Sequence, residues 1–182
     1  MVHLKKVISI IGIIITFFLI YFLQINFFSW FNIAGVKPNL FIVLVLCIGL
    51  YIGKNAAILL GFVIGIYLDI LTGKQIGLSA IMFAIIGGLG EYFDKNFSKG
   101  SKITILLMVA GSTVLFEIIV YIYTVIKNAT SLQILGFTKI LLIEVIFNVL
   151  LTIILYPLIK NIGCFFENIF KRRKISTRYF FN

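Results

Sequence analysis

The stretch GFVIGIYLDILTGKQIGLSA, residues 61–80, indicates a helix, a tight turn and the start of a second helix. Gly61, Gly65 and Asp69 follow one another at intervals of four, which places them on one face of the first helix. Glycines at this spacing allow the backbone of a neighbouring helix to approach closely. We therefore expect Asp69 to face protein and not lipid. The spacing leaves open whether that protein is this chain or another membrane protein.

The end of the first helix lies within the same stretch. We expect the helix to end near Leu71, because two glycines, Gly73 and Gly77, follow it. Glycine readily adopts the left-handed backbone of a helix end or a tight turn. The sequence therefore predicts a short glycine turn between two apolar helices.

The composition of the whole chain is that of a protein embedded in lipid. Hydrophobic residues make up 62% of the 182 residues and charged residues 12%, and the mean hydropathy is +1.17. Typical soluble domains have about 45–50% and about 25%. A soluble fold of this size could not bury so much apolar surface, so we interpret the chain as an integral membrane protein.

Six apolar runs predict an all-α, polytopic membrane helix bundle of about six transmembrane helices. A run must contain about 17–25 residues to cross about 30 Å of hydrocarbon. The second, third and fourth runs are near or below the lower limit, so re-entrant or core helices are alternatives for them. The runs are 7–28, 39–53, 55–71, 77–93, 103–126 and 137–159.

The distribution of lysine and arginine predicts that both termini are cytoplasmic, because cytoplasmic connections carry an excess of these residues. With six crossings, twelve basic residues are inside and four are outside. The inner set is Lys5, Lys6, Lys54, Lys95, Lys99, Lys102, Lys160, Lys171, Arg172, Arg173, Lys174 and Arg178; the outer set is Lys37, Lys74, Lys127 and Lys139.

We divide the chain into a single transmembrane helical domain, residues 1–164, and a basic, aromatic cytoplasmic tail, residues 165–182. Basic clusters beside a membrane gain about 1 kcal/mol per residue from anionic lipid, and aromatic rings suit the interface. We expect the tail to lie on anionic lipid of the inner leaflet, with docking of a cytoplasmic partner as the alternative. No RNA-binding module accompanies it, so we predict no nucleic acid partner.

Three acids lie at or near membrane depth: Asp69, Glu117 and Glu144. An ionised side chain there is costly, so each should be protonated, hydrogen-bonded or paired. The local candidates are Thr113, four residues before Glu117, and Asn148, four residues after Glu144. A proton path, a cationic ligand, partner docking and a structural polar network are all open interpretations of these acids.

The residues predict no enzymatic chemistry, cofactor or metal site. Cys47 and Cys164 should lie at different membrane levels, which argues against a disulfide, and His3 has no second ligand at metal-binding spacing. The sequence has no phosphate loop, nucleophile elbow or dinucleotide fingerprint. Almost every polar residue lies in a short connection or near the C-terminus, so we expect no catalytic domain outside the membrane.

Several motifs together resemble the MreD family of rod shape-determining proteins. The first is KPNL, residues 37–40, followed by a short apolar helix and the stretch 61–80. The second is EVIFNVLLTIILYPLI, residues 144–159, which is similar to the last helix of the family in the positions of Asn148 and Pro157. The sequence departs from the family at Asn39, where many members have an acid.

The resemblance implies a scaffold of the cell-elongation machinery in the bacterial cytoplasmic membrane, with no reaction of its own. Its implied partners are the bitopic membrane protein MreC, the actin-like MreB filament and peptidoglycan synthases. As candidate residues of a partner or packing interface we select Pro38, Gly61, Gly65, Asp69, Gly73, Gly77, Glu117, Glu144 and Asn148.

The family's six-helix architecture is also similar to the substrate-binding subunits of energy-coupling-factor vitamin transporters. A small-molecule uptake subunit is therefore the alternative function, since fold alone does not separate the two. The short outer connections favour the scaffold, because a vitamin site would usually have a lid loop and converging polar groups.

Overall fold

The structure is a computed structural model that describes residues 2–30, 33, 35–73, 77–97, 101–129 and 131–170. Within these ranges the chain forms six long helices in the predicted order, which confirms an all-α helix bundle. They are α1 Val2–Phe22, α2 Leu40–Tyr51, α3 Lys54–Thr72, α4 Leu78–Asn96, α5 Lys102–Asn128 and α6 Ile134–Phe170. A π-helical turn, Leu23–Phe27, and an α-helical turn, Phe28–Trp30, continue α1. Lys74, Lys99 and the basic cluster of residues 171–182 lie outside the described residues.

In the part of the chain that the structure describes, four segments are long and apolar enough to cross a membrane: Ser9–Phe27, Lys54–Thr72, Lys102–Asn128 and Ile134–Phe170. Helix α4 has the same length as α3, 19 residues, and carries charged residues in its last two turns. Helix α2 has 12 residues, or about 18 Å at about 1.5 Å per residue, and is too short for about 30 Å of hydrocarbon. Of the interpretations open for the second run, the structure shows a core helix.

Helix α2 occupies the centre of the bundle and contacts each of the other five helices. It is apolar on every side, which is typical of a helix that is buried all round. Phe41, Ile42 and Leu46 are buried in one cluster with Phe83 of α4 and Phe116 of α5. The rings of Phe83 and Phe116 stack with centroids 5.3 Å apart.

The remaining helices form two antiparallel pairs and one more peripheral helix. Helices α3 and α4 pack along their whole length, and α5 packs against α6. Helix α1 has fewer contacts, with α2 and α6. The α3/α4 pair is the part of the bundle that the stretch 61–80 predicts.

Helix α6 is longer than predicted. It has 37 residues, or about 55 Å, and continues beyond Ile159 to Phe170. Pro157 lies inside the helix without ending it, and apolar residues continue along one face after it. Residues 165–170, which we assigned to the tail, are therefore helical.

Candidate functional site

Gly61 and Gly65 lie where α3 packs against α4. A Cβ atom added to Gly61 would lie 2.5 Å from the carbonyl oxygen of Phe83, and one added to Gly65 would overlap the backbone of Ala80 more closely still. Real Cβ contacts essentially never come under 3.0 Å. The predicted close packing at both glycines is confirmed, and the neighbour belongs to this chain.

Asp69, one turn beyond Gly65, uses its carboxylate to cap the N-terminus of α4. Its Oδ2 accepts hydrogen bonds from the backbone N–H groups of Gly77 at 2.7 Å, Ser79 at 3.1 Å and Ala80 at 3.4 Å. The first N–H groups of a helix have no partner within the helix and carry partial positive charge, so a carboxylate is well suited there. Asp69 is only 2% exposed, which confirms that it faces protein.

The two described ends of the connection between these helices carry glycines in the conformation expected of a turn. Helix α3 ends at Thr72, and Gly73 follows in the left-handed conformation with φ +63°. Gly77 precedes α4 with φ +98°. A Cβ added to either glycine meets no atom within 4 Å, so backbone conformation, and not space, selects glycine at these two positions.

Glu117 and Glu144 form a carboxyl pair between α5 and α6. Their side chains are hydrogen-bonded to each other, and Glu144 is 7% exposed. A hydrogen bond between two carboxyl groups requires a proton on one of them, since two carboxylates are both acceptors. The expectation that Thr113 and Asn148 would be the local partners of these acids is wrong, because the two helices bring the acids to each other.

Asn148 instead joins three helices. Its Nδ2 donates to Thr113 Oγ1 of α5 at 3.0 Å, and its Oδ1 accepts the backbone N–H of Asn39 at 2.8 Å. Asn148 is completely buried, and the Thr113 hydroxyl donates a hydrogen bond to the carbonyl oxygen of Val109 at 2.9 Å. These bonds tie α5 and α6 to the start of the core helix α2.

Gln24 also binds the start of α2, although the sequence analysis did not select it as an interface residue. Its Nε2 donates to the carbonyl oxygen of Pro38, and its Oε1 accepts the backbone N–H of Leu40 at 3.1 Å. Pro38 is buried beside it. The one indication in the sequence is a glutamine inside an apolar run, and it does not reveal which helix the glutamine would bind.

Three more glycines and one acid contribute to the core without having been selected. A Cβ on Gly87 would lie 2.6 Å from the carbonyl oxygen of Ala57, and a Cβ on Gly90 would lie 2.6 Å from that of Leu46. Gly49 of α2 faces the same part of α4. Glu91 accepts the first N–H of α3, from Lys54.

The candidates therefore fall into separate groups. Gly61, Gly65, Asp69 and Gly77 meet at the α3/α4 contact, with Gly73 at its end. Pro38 and Asn148 meet at the start of α2, and Glu117 pairs with Glu144 one turn along α6 from Asn148. In the first two groups a polar side chain of one helix accepts backbone N–H groups at the start of another, whereas the third group is a contact between two side chains.

The described residues hold no group of three or more histidine, cysteine or acidic side chains that could bind a metal ion. Cys47 and Cys164 are free thiols.

These features define a class: a polytopic helical membrane protein with a short buried core helix, packed through glycines and capped by polar side chains of neighbouring helices. The feature most specific to a family is the stretch 61–80 with its glycines, acid and turn. The chain belongs to the MreD family, because the family model described as rod shape-determining protein MreD matches residues 5–162.

The match extends from the first turns of α1 into α6 and so includes all six helices. The resemblance seen in the sequence is confirmed, and family membership implies a role in determining rod shape. No curated protein and no solved structure matches the chain.

Proposed function

We propose that this protein is a non-enzymatic scaffold of a rod-elongation complex in the bacterial cytoplasmic membrane. It binds a bitopic, MreC-like membrane protein and helps to direct peptidoglycan synthesis, alongside an MreB-like filament and peptidoglycan synthases. The observation that carries the proposal is the family match over residues 5–162.

The use of the buried polar groups supports a scaffold. Asp69 and Asn148 are bound to backbone N–H groups, and Glu117 and Glu144 are bound to each other. Side chains that are engaged in this way hold helices in position. Catalysis would instead need a nucleophile and a base arranged around a reacting atom.

The glycine contacts support the same proposal. Where α2, α3 and α4 touch, added side-chain atoms would collide with backbone. Close contacts of this kind favour a rigid core, because a packed interior transmits force and deforms little. A rigid membrane body suits a protein that positions its partners.

We do not advance the vitamin-uptake alternative, since no contact in the described part of the chain favours it. An uptake subunit would have a saturable site for a small solute. The test below therefore includes a measurement of vitamin binding.

The test is complementation in a rod-shaped bacterium whose own MreD-family gene has been deleted. We expect the wild-type chain, produced with its bitopic partner, to restore rods, and the purified protein to bind no vitamin saturably. Gly111→Leu is the matched control for packing variants, because a Cβ at Gly111 meets no atom within 4 Å. Round cells in the presence of well-folded protein, or a saturable vitamin isotherm, would contradict the proposal.

A further inference from the structure

Hydrogen bonds at the start of α2 place four helices at one common level of the bundle. Asn148 of α6 is bonded both to Thr113 of α5 and to the backbone of Asn39, just before α2. Gln24 of α1 accepts the N–H of Leu40, the first residue of α2. The distance that each helix runs outward can therefore be counted from these residues.

Helices α5 and α6 run further outward than α1. The turns that continue α1 end six residues beyond Gln24, which is about 9 Å at about 1.5 Å per residue. Helix α5 ends 15 residues beyond Thr113, at Asn128, and α6 begins 14 residues before Asn148, at Ile134. Both distances exceed about 20 Å. The outer ends of α5 and α6 therefore project roughly 12 Å beyond the end of α1.

Two lysines mark the inner boundary of the membrane on these helices. Lys102 begins α5, and its Nζ lies 5.8 Å from the centre of the Tyr156 ring on α6, one turn before Lys160. About 30 Å of hydrocarbon takes about 20 residues of helix, which places the outer boundary near Ile122 of α5 and Ile140 of α6. An average tilt of about 20° moves this boundary by about one residue.

Residues 123–129 and 131–139 lie beyond this boundary, and we call them the outer projection. At its base, the rings of Tyr121 and Phe137 stack with centroids 4.1 Å apart and join α5 to α6. Four large aliphatic side chains of the projection are 64–83% exposed: Ile126, Leu132, Ile134 and Leu135. The projection thus presents apolar surface at a level that the hydrocarbon does not reach.

The length of α3 argues against a bilayer thick enough to cover this surface. Helix α3 has 19 residues, or about 28 Å, and exposes Leu59 near one end and Ile70 near the other. It therefore matches about 30 Å of hydrocarbon with no excess. A bilayer thickened by about 9 Å, to cover six more residues of α5, would be mismatched to α3, and each ångström of mismatch is unfavourable.

The charge of the outer projection argues against a second copy of this chain as its partner. Residues 123–139 contain two lysines, Lys127 and Lys139, and no aspartate or glutamate. Lys127 lies over the ring of Tyr123, at 5.9 Å from its centre, and Lys139 is exposed. Two copies would bring like charges together, whereas a partner with acidic residues beside apolar ones would be complementary.

We propose that the outer projection is the docking surface for the bitopic partner. The contact is made by the partner's membrane-proximal segment on the outer side, which presents apolar side chains with acidic residues beside them. On the predicted orientation the projection lies outside the cytoplasm, where a protein that crosses the membrane once has such a segment. The inference rests on the proposed scaffold function and adds the surface that the partner binds.

The experiment is site-specific photocrosslinking in cells that produce the full-length chain with its bitopic, MreC-like partner. The photoreactive residue p-benzoylphenylalanine is introduced at Leu135 of the outer projection. Leu107 of α5 and Leu59 of α3 are the control positions, because they are 68% and 64% exposed and lie within the hydrocarbon span. We expect at least fivefold more crosslinking to the partner from position 135 than from either control.

A charge reversal tests the chemistry of the contact. Lys139→Glu should reduce the amount of partner that co-purifies at least threefold, whereas Lys139→Arg keeps the charge and should retain it. Both variants should melt at the wild-type temperature, because Lys139 is exposed. Equal retention of the partner by the two variants would contradict an acidic contact.

The outcomes separate this inference from the proposed function. Crosslinks to the partner from Leu59 or Leu107, but not from Leu135, would overturn the docking surface and leave the scaffold function standing. A crosslinked dimer or a phospholipid adduct in place of the partner at Leu135 would overturn it as well, by making a second copy or lipid the occupant. A wild-type preparation without the partner would contradict the scaffold function itself.

Discussion

Single residues in this bundle satisfy backbone that belongs to another helix. Asp69 of α3 caps α4, Glu91 of α4 caps α3, and Gln24 and Asn148 cap α2. In lipid there is no water for the orphan N–H groups at a helix start, so each needs a partner within the protein. The polar residues of the spans are explained to a large extent by this requirement.

Gly65 gives the sharpest test of close packing. Gly65→Leu places a side chain where the backbone of Ala80 already lies, and overpacking costs about 1–3 kcal/mol. We expect a lower melting temperature in detergent, whereas Gly111→Leu should melt at or above the wild-type temperature, because its side chain enters open space. Equal melting of Gly65→Leu and Gly111→Leu would place Gly65 against lipid.

Asp69 tests the capping of α4. Asp69→Leu removes the acceptor of three backbone N–H groups, and leaving them unpaired costs about 1–3 kcal/mol. Asp69→Asn keeps an oxygen acceptor and loses the charge at the helix start, which costs about 0.3–1 kcal/mol. The unfolding temperature should therefore be highest for the wild type, lower for Asp69→Asn and lowest for Asp69→Leu. If the two variants lose the same stability, the charge of Asp69, and not its hydrogen bonding, stabilises the start of α4.

The carboxyl pair predicts coupling between Glu117 and Glu144. Either single leucine variant leaves a carboxyl group without its hydrogen-bonded partner, at a cost of about 1–3 kcal/mol. Replacing both by leucine removes both polar groups, so the double variant should lose less stability than the two single variants combined. A double-mutant cycle on unfolding free energies measures this difference, and strictly additive losses would show that the acids do not interact.

For the helices, local sequence patterns predicted a helix face and a turn, whereas contacts between helices could not be predicted from such patterns. The spacing of Gly61, Gly65 and Asp69 indicated the α3 face, and Gly73 and Gly77 indicated the turn. The pairing of Glu117 with Glu144 depends on how α5 lies against α6, and local helix rules suggested the wrong partners. Gln24 was missed for the same reason, since its partners at Pro38 and Leu40 begin another helix.

The length of α2 shows a second limit of sequence patterns. The apolar run 39–53 is equally compatible with a short crossing, a re-entrant segment and a core helix. Contacts with five other helices make it a core helix. Helix α6, in contrast, is longer than predicted, because it continues beyond the charged residues that follow Pro157.

The membrane orientation predicted from the distribution of lysine and arginine can be tested by labelling. In a background without Cys47 and Cys164, a single cysteine at Gln133 should react with a membrane-impermeant reagent added outside the cell. A cysteine at Asn96, at the end of α4, should be protected until the membrane is opened. Both positions are exposed on the protein, so accessibility depends on the side of the membrane, and the reverse pattern would invert the topology.

Over the whole bundle, a rigid core is surrounded by helices that face the membrane. Helices α2, α3 and α4 meet through glycines and are capped by one another's side chains. Around them, α1, α5 and α6 present exposed apolar residues to the membrane. We propose that this body holds a bitopic partner at a defined position for peptidoglycan synthesis.

The most direct measurement is co-purification of the bitopic, MreC-like partner with the tagged full-length chain from solubilised membranes. We predict that the wild type and Gly111→Leu retain the partner in similar amounts, while Gly65→Leu, with its α3/α4 contact forced apart, retains several-fold less at equal expression. Absence of the partner from the wild-type preparation, under conditions in which both proteins remain folded, would contradict the scaffold function.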